Sequence, residues 1–194
     1  MRYQQSWNDQ DKFTSDNQKN LEATIRRSIE LGVNHIETAR GYGTSEEQLG
    51  HVLPTLPRDK IIVQTKIGPE ADPADFLKNF EKSMRLLQLD YVDLLGLHGI
   101  NNEERRQWSE RCMDAALKLK AQGRVRHIGF STHGGLQTIL DTLKDGRYEY
   151  INLHWYYVNQ FNWPAVELAT KLDMACSSSA PATRAANFIL PAKN

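Results

Sequence analysis

Short apolar runs alternate with longer amphipathic stretches along the chain. The runs occupy residues 33–39, 61–67, 91–98, 125–131 and 150–156, so their starts lie 28, 30, 34 and 25 residues apart. Each run has the length of a buried strand, and each interval leaves room for a helix. The intervening stretches carry helical spacing. Leu21, Ile25 and Ile29 recur along 20–31, with Gly32 as the stop. Asp72-Pro73 opens the next helix, and Phe76, Phe80, Met84 and Leu87 share one of its faces. Trp108, Cys112, Ala115, Ala116 and Leu119 form a third stripe, ended by Gly123; Leu136, Ile139, Leu140 and Leu143 form a fourth. Thr44, with Glu47 three residues on, predicts a capping box on a short helix. Strands alternating with helices predict an α/β fold with a parallel sheet, either open and doubly wound or closed as a (β/α)8 barrel.

Charge and cysteine usage narrow the function classes. The 24 basic and 24 acidic side chains balance to zero, which gives no electrostatic pull toward nucleic acid or an anionic membrane. No apolar run approaches the roughly 18 residues of a membrane span. Residues 1–19 read as a polar, Asn/Gln-rich segment without a secretion signal. Only Cys112 and Cys176 are present, without Cys-x-x-Cys spacing. They support neither a disulfide scaffold nor a cysteine zinc site, and they suit a reducing cytoplasm.

Reactive side chains gather at the C-terminal ends of the predicted strands. Glu37 lies in the first run and Tyr42 in the loop after it; Lys66 lies at the end of the second and His98 at the end of the third. Ser131 and Thr132 follow the fourth, and Asn152 and His154 lie in the fifth. In a parallel barrel these ends meet at one rim, where active sites of this fold sit. Strand alternation also puts Gln64 with Lys66, and Leu94 and Gly96 with His98. A tyrosine hydroxyl titrates near 10, too high for efficient proton transfer at neutral pH, and a neighbouring ammonium lowers it. A carboxylate holds the ammonium, and an imidazole orients a carbonyl and shares the proton. Carbonyl reduction needs such a set, because oxygen gains a proton as carbon gains hydride.

The blocks Gly32-Val33-Asn34-His35-Ile36-Glu37-Thr38-Ala39-Arg40-Gly41-Tyr42-Gly43-Thr44-Ser45-Glu46, Gln64-Thr65-Lys66, Asp90-Tyr91-Val92-Asp93-Leu94-Leu95-Gly96-Leu97-His98 and Gly123-Arg124-Val125-Arg126-His127-Ile128-Gly129-Phe130-Ser131 resemble, in order, those of the aldo-keto reductases. The resemblance implies a (β/α)8 barrel that uses NADPH to reduce an aldehyde or ketone. It implies Tyr42 as general acid, Lys66 as its activating cation, Glu37 as the ion-pair partner and His98 as the substrate-orienting group. Ser131, Thr132 and Asn152 match positions near the nicotinamide carboxamide. Glu37 stands where the family usually has Asp, which lengthens the carboxylate arm by one methylene and keeps the charge. The block around it is similar to a bacterial branch that often carries a C-terminal iron–sulfur module, for which this chain has no cysteine cluster.

Three competing readings are weaker. A dinucleotide fingerprint at Gly41-Tyr42-Gly43 fails because Glu46 stands at the third glycine position. His98, His127 and His154 do not assemble a metal site, because His127 falls low in its strand. A lyase or isomerase using the Lys66 amine is the third. The barrel itself takes about 250 residues, so residues 20–174 predict strands two to six of a partial barrel. The first strand and the last two are expected to be missing, with weakened NADPH binding and self-association through open sheet edges as consequences. Residues 175–194 show no strand alternation and read as an irregular tail, consistent with a shifted reading frame after Met174. An inactive remnant or a reductase-like binding subunit is the alternative to an active enzyme.

Overall fold

A computed structural model of the chain describes residues 12–178 and 188–189. Six strands form a parallel sheet: β1 (His35–Glu37), β2 (Ile62–Ile67), β3 (Val92–His98), β4 (Val125–Ser131), β5 (Tyr150–Leu153) and β6 (Ala175–Ser178). A short β7 (Phe188–Ile189) adds to β6 antiparallel. The strand order follows the chain from one edge to the other. A doubly wound sheet reverses its order at a switch point, and this one does not. The fold is an incomplete (β/α)8 barrel. Among the described residues no helix is long and apolar enough to cross a membrane.

The helices are α1 (Ser15–Glu30), α2 (Ser45–Gly50), α3 (Pro73–Leu87), α4 (Glu103–Ala121), α5 (Leu136–Leu143) and α6 (Trp163–Lys171). Helix α1 starts five residues before the expected Asn20 because Thr14 caps it: its hydroxyl accepts from Asn17 N–H and the Asn17 side chain accepts from Thr14 N–H. Asp72 caps α3 through Ala74 N–H at 2.8 Å, with Pro73 in the first turn as predicted. Phe76, Phe80, Met84 and Leu87 turn inward and are buried, as helical periodicity requires.

Three local expectations are corrected. The capping box at Thr44 does not form: Thr44 has φ −80° and ψ 2°, a bridge-region rather than extended backbone, and its hydroxyl turns to Gln48 Oε1 at 3.2 Å. The strand read from 33–39 shortens to three residues, although Thr38 and Arg40 N–H still bond to the Gln64 and Lys66 carbonyls at 2.8 Å. The strandless reading of the tail also fails over its first four residues. Ala175–Ser178 lacks β-branched side chains, yet it pairs in register with Tyr150–Leu153, and Cys176 and Ser177 are buried. The open edge of β5 supplies the ladder bonds, and tertiary context outweighs weak intrinsic preference. Residues 1–11, 179–187 and 190–194, parts of the expected polar segment and tail, lie outside the described residues.

One ring sits inside the curved sheet beside the Lys66 stem. Tyr150 is buried and lies over Gly129 and Gly96: a Cβ on Gly129 would meet the Tyr150 ring and carbonyl oxygen at 2.4 Å, and one on Gly96 would meet Lys66 Cγ at 2.9 Å and the Tyr150 hydroxyl at 3.3 Å. At the opposite end of the strands, buried Asp93 pairs with Arg58 at 2.6 Å and Arg126 at 2.9 Å, and accepts from Val63 N–H at 2.9 Å. Both guanidinium groups stack on Tyr91. This cluster ties β2, β3 and β4 together at their N-terminal ends and leaves the other rim for chemistry.

Candidate active site

Three consecutive strands deliver the principal groups to the C-terminal rim. Glu37 closes β1, Lys66 is the penultimate residue of β2 and His98 closes β3. Tyr42 comes from the loop between β1 and α2. The register pairs Glu37 with Gln64 and Lys66 with Gly96, so the Lys66 stem runs along the sheet interior where residue 96 has no side chain. Lys66 is 2% exposed although it is a lysine. Its ammonium donates to Glu37 Oε1 at 2.5 Å and to the Thr38 carbonyl at 3.0 Å. A buried charge held by a counter-charge and a carbonyl is a satisfied one.

The ammonium lies 5.0 Å from the centroid of the Tyr42 ring. That ring stands edge-on to His98, with centroids 5.4 Å apart and planes at 86°. Glu37, Tyr42, Lys66 and His98 therefore converge, as the strand-end argument anticipates. Burial alone would raise the Glu37 carboxyl, but the Lys66 charge and hydrogen bond outweigh it and hold the group below its usual value. Burial, then the Lys66 charge and the nearby His133, push the His98 imidazole down to about 4. His98 is therefore neutral at pH 7 and keeps a ring N–H to donate.

A pH dependence of stability follows with a definite sign. The unfolded His98 imidazole takes up a proton near its ordinary 6.5, whereas the folded one does so only near 4. Between those values the unfolded chain binds more protons, so stability falls as pH drops from 6.5 toward 4, by at most about 3 kcal/mol from this group. Urea midpoints of the wild type and His98→Gln across that window measure it. The variant is expected to lose less stability on acidification; equal losses would show that His98 contributes nothing.

On the other side of the rim, Asn152 is buried and its Oδ1 accepts from Gln64 Nε2 at 2.8 Å. Its Nδ2 is buried and has no hydrogen-bond partner among the described residues. Ser131 Oγ accepts from Gly99 N–H at 3.2 Å, which leaves its own proton to donate. Thr132 differs: its hydroxyl donates to the Ile100 carbonyl at 2.6 Å and accepts from Gly134 N–H at 2.9 Å. It closes the loop after β4 and has no donor to spare. Asn152 and Ser131 together present two donors, which fits an amide carbonyl such as that of a nicotinamide.

His127 bonds to Glu149 at 2.6 Å on the N-terminal half of β4, away from the rim, and His154 stacks on His133 with centroids 4.6 Å apart. Among the described residues no three His, Cys, Asp or Glu side chains converge on a metal site. Sequence reasoning missed Tyr150 and Arg40. Arg40 pairs with buried Glu46, which also accepts from Thr65 at 2.6 Å and Ser83 at 3.1 Å. An acid inside an otherwise well-patterned helix was the available signal, and it reads equally well as a helix-start residue.

Comparison with known proteins agrees with this geometry. The chain is 38% identical over 118 residues to L-galactose dehydrogenase of Arabidopsis thaliana, covering 56% of this chain and 37% of that protein. It is 36% identical over 117 residues to the methylglyoxal reductase YeaE of Escherichia coli, covering 56% and 38%. The chain thus spans well under half the length of these curated relatives. Among solved structures, an aldo-keto reductase from Bacillus halodurans superimposes with a TM-score of 0.74 at 23% identity, over 83% of this chain and 57% of that one. One from Klebsiella pneumoniae, solved in complex with NADPH, gives 0.71 at 23% identity over 87% and 60%. The pattern described as "Aldo/keto reductase family" matches residues 2–160, which take in β1 to β5 and the four converging groups. On that match, and on a rim built as the strand order requires, the chain belongs to the aldo/keto reductase family.

Proposed function

We propose that the chain carries the catalytic half of an NADPH-dependent carbonyl reductase, with Tyr42 as the proton donor. The observation that carries this reading is the Lys66 ammonium, held by Glu37 and placed beside a tyrosine ring that stands edge-on to a neutral histidine. Tyr42 gives its hydroxyl proton to the carbonyl oxygen. The Lys66 ammonium stabilises the negative charge left on the phenol oxygen. Glu37 keeps Lys66 charged and fixed, and the His98 N–H orients the carbonyl. NADPH supplies the hydride when bound, and Asn152 Nδ2 and Ser131 Oγ would hold its carboxamide.

Two such hydrogen bonds contribute only about 1–3 kcal/mol together. Losing the Asn152 donor is therefore expected to weaken NADPH by about 2- to 12-fold. Titrating the purified chain with NADPH and following cofactor fluorescence tests the reading, combined with NADPH oxidation in the presence of a short aldehyde. Saturable binding weakened by Asn152→Ala, with turnover on adding the aldehyde, supports it. Absence of binding at high micromolar NADPH would defeat the claim that this chain is a working reductase.

A further inference from the structure

Gln64 stands on β2 two residues before Lys66, on the same face of the strand, and it is fully buried. Its Nε2 donates to Asn152 Oδ1 at 2.8 Å and lies 3.4 Å from the Tyr150 hydroxyl oxygen, a second acceptor. Asn152 and Tyr150 both belong to β5, so the Gln64 side chain reaches across the concave side of the sheet, past β3 and β4. Gln64 has no part in the proton transfer. Its contact with Asn152 bears on what the rim offers to a cofactor.

An asparagine amide has nearly the same shape whichever way it points, but one end only accepts and the other only donates. With Oδ1 turned inward to Gln64, the Asn152 Nδ2 is left over; it is buried and has no partner among the described residues. That sets an NH2 beside Ser131, the residue paired with Asn152 across the β4–β5 ladder. Both groups can then donate to one carbonyl oxygen. With the amide reversed, the rim would present an oxygen, which repels a carbonyl and accepts only from an N–H. Solvent does not decide the orientation, because Asn152 is 1% exposed. Gln64 does: its Nε2 carries two hydrogens with an acceptor for each, and the Tyr150 ring that supplies one of them is wedged against Gly129.

We propose that Gln64 is a positioning residue of the cofactor site: it turns the Asn152 amide so that the NH2, and not the oxygen, faces the rim and meets the carbonyl of the nicotinamide carboxamide. The proposal rests on the reductase reading for the identity of the bound group, while the orientation of the amide can be measured on the free chain.

The first measurement is side-chain amide hydrogen exchange, followed by NMR on the full chain without cofactor. The Gln64 Nε2 hydrogens are expected to exchange at least about 10-fold more slowly than the Asn152 Nδ2 hydrogens, because only the former have acceptors. Reversing both amides would keep the bond between them and invert that order. The inverse order, or equal rates, would therefore overturn the proposal, and this reading needs no variant to fold. The second measurement is a double-mutant cycle in which NADPH is titrated by cofactor fluorescence. Gln64→Met keeps the side-chain length and loses the donor, and it should weaken NADPH by about 2- to 12-fold. In the Asn152→Ala background the same substitution should change the affinity by less than about 2-fold. Equal losses in both backgrounds would leave Gln64 a structural role only and overturn the proposal. The expected exchange order without any NADPH binding removes the reductase reading and keeps the amide orientation. Turnover of NADPH with the inverse exchange order removes the role of Gln64 and keeps the reductase.

Discussion

Tyr42→Phe is expected to reduce carbonyl reduction by two to four orders of magnitude while the chain folds as before. The substitution deletes one oxygen and keeps the ring, so the edge-on contact with His98 and the approach of the Lys66 ammonium survive. What disappears is the proton that the carbonyl oxygen must gain, and a positioned acid contributes about 100- to 10,000-fold. Neither His98 nor Lys66 replaces it. The histidine is held neutral by burial and by the Lys66 charge, and the ammonium is committed to Glu37 and the Thr38 carbonyl. Initial rates of NADPH oxidation with saturating aldehyde, alongside a urea midpoint, measure both halves of the expectation. An undiminished rate would assign the proton to another group, and a large fall in midpoint would give Tyr42 a structural role instead.

Lys66→Met carries the second large effect, because it touches stability and chemistry together. Methionine keeps most of the stem that runs past Gly96, where only 2.9 Å separates Lys66 Cγ from a hypothetical Cβ. The lost ammonium is the larger change. The Thr38 carbonyl loses its donor, and Glu37 loses the charge that outweighs its burial. Breaking a fully buried pair costs about 3–5 kcal/mol; with one-third of the Glu37 side chain exposed, about 2 kcal/mol is expected. The pH profile separates this mechanism from simple loss of packing. In the wild type the Glu37 carboxyl titrates below its usual value, so its contribution is present above that value and is lost as pH falls. Without Lys66, burial dominates and the Glu37 carboxyl moves up, so the folded variant binds the proton more readily than the unfolded one. Its contribution then runs the other way, and the variant should lose least relative to wild type near pH 4. Turnover should fall about as far as in Tyr42→Phe. A deficit in the urea midpoint that stays constant from pH 4 to 7 would show that the ammonium does nothing for Glu37.

The alternation of apolar runs and amphipathic stretches carries most of this architecture, and the reason is geometric. A buried parallel strand shows a short apolar run, and the residues toward its C-terminal end sit at the rim. Glu37, Lys66 and His98 could be placed from that rule before any contact was visible. Other features depend on register between strands far apart in the chain. The ring of Tyr150 over Gly129 and Gly96 joins three strands, and no local pattern around any of those residues shows it. The β6 strand was hidden because Ala-Cys-Ser-Ser carries no strand signal of its own, and the waiting edge of β5 decides it. Thr132 shows a different limit. Its neighbour in sequence has a proton to donate, but a loop closing on Ile100 and Gly134 uses up the threonine hydroxyl.

The ring beneath the site also constrains which sequences can adopt this fold. At position 129 a methyl group would strike the main-chain carbonyl of residue 150 as well as its ring, so shrinking residue 150 gives no relief and glycine is required there whatever its neighbours become. At position 96 the nearest obstacles are side-chain atoms of Lys66 and Tyr150. Glycine at 96 is thus conditional on those two partners. In relatives that keep the lysine, glycine is therefore expected at 96 whatever stands at 150, because Lys66 Cγ at 2.9 Å is the nearer obstacle, while 129 stays fixed by the backbone.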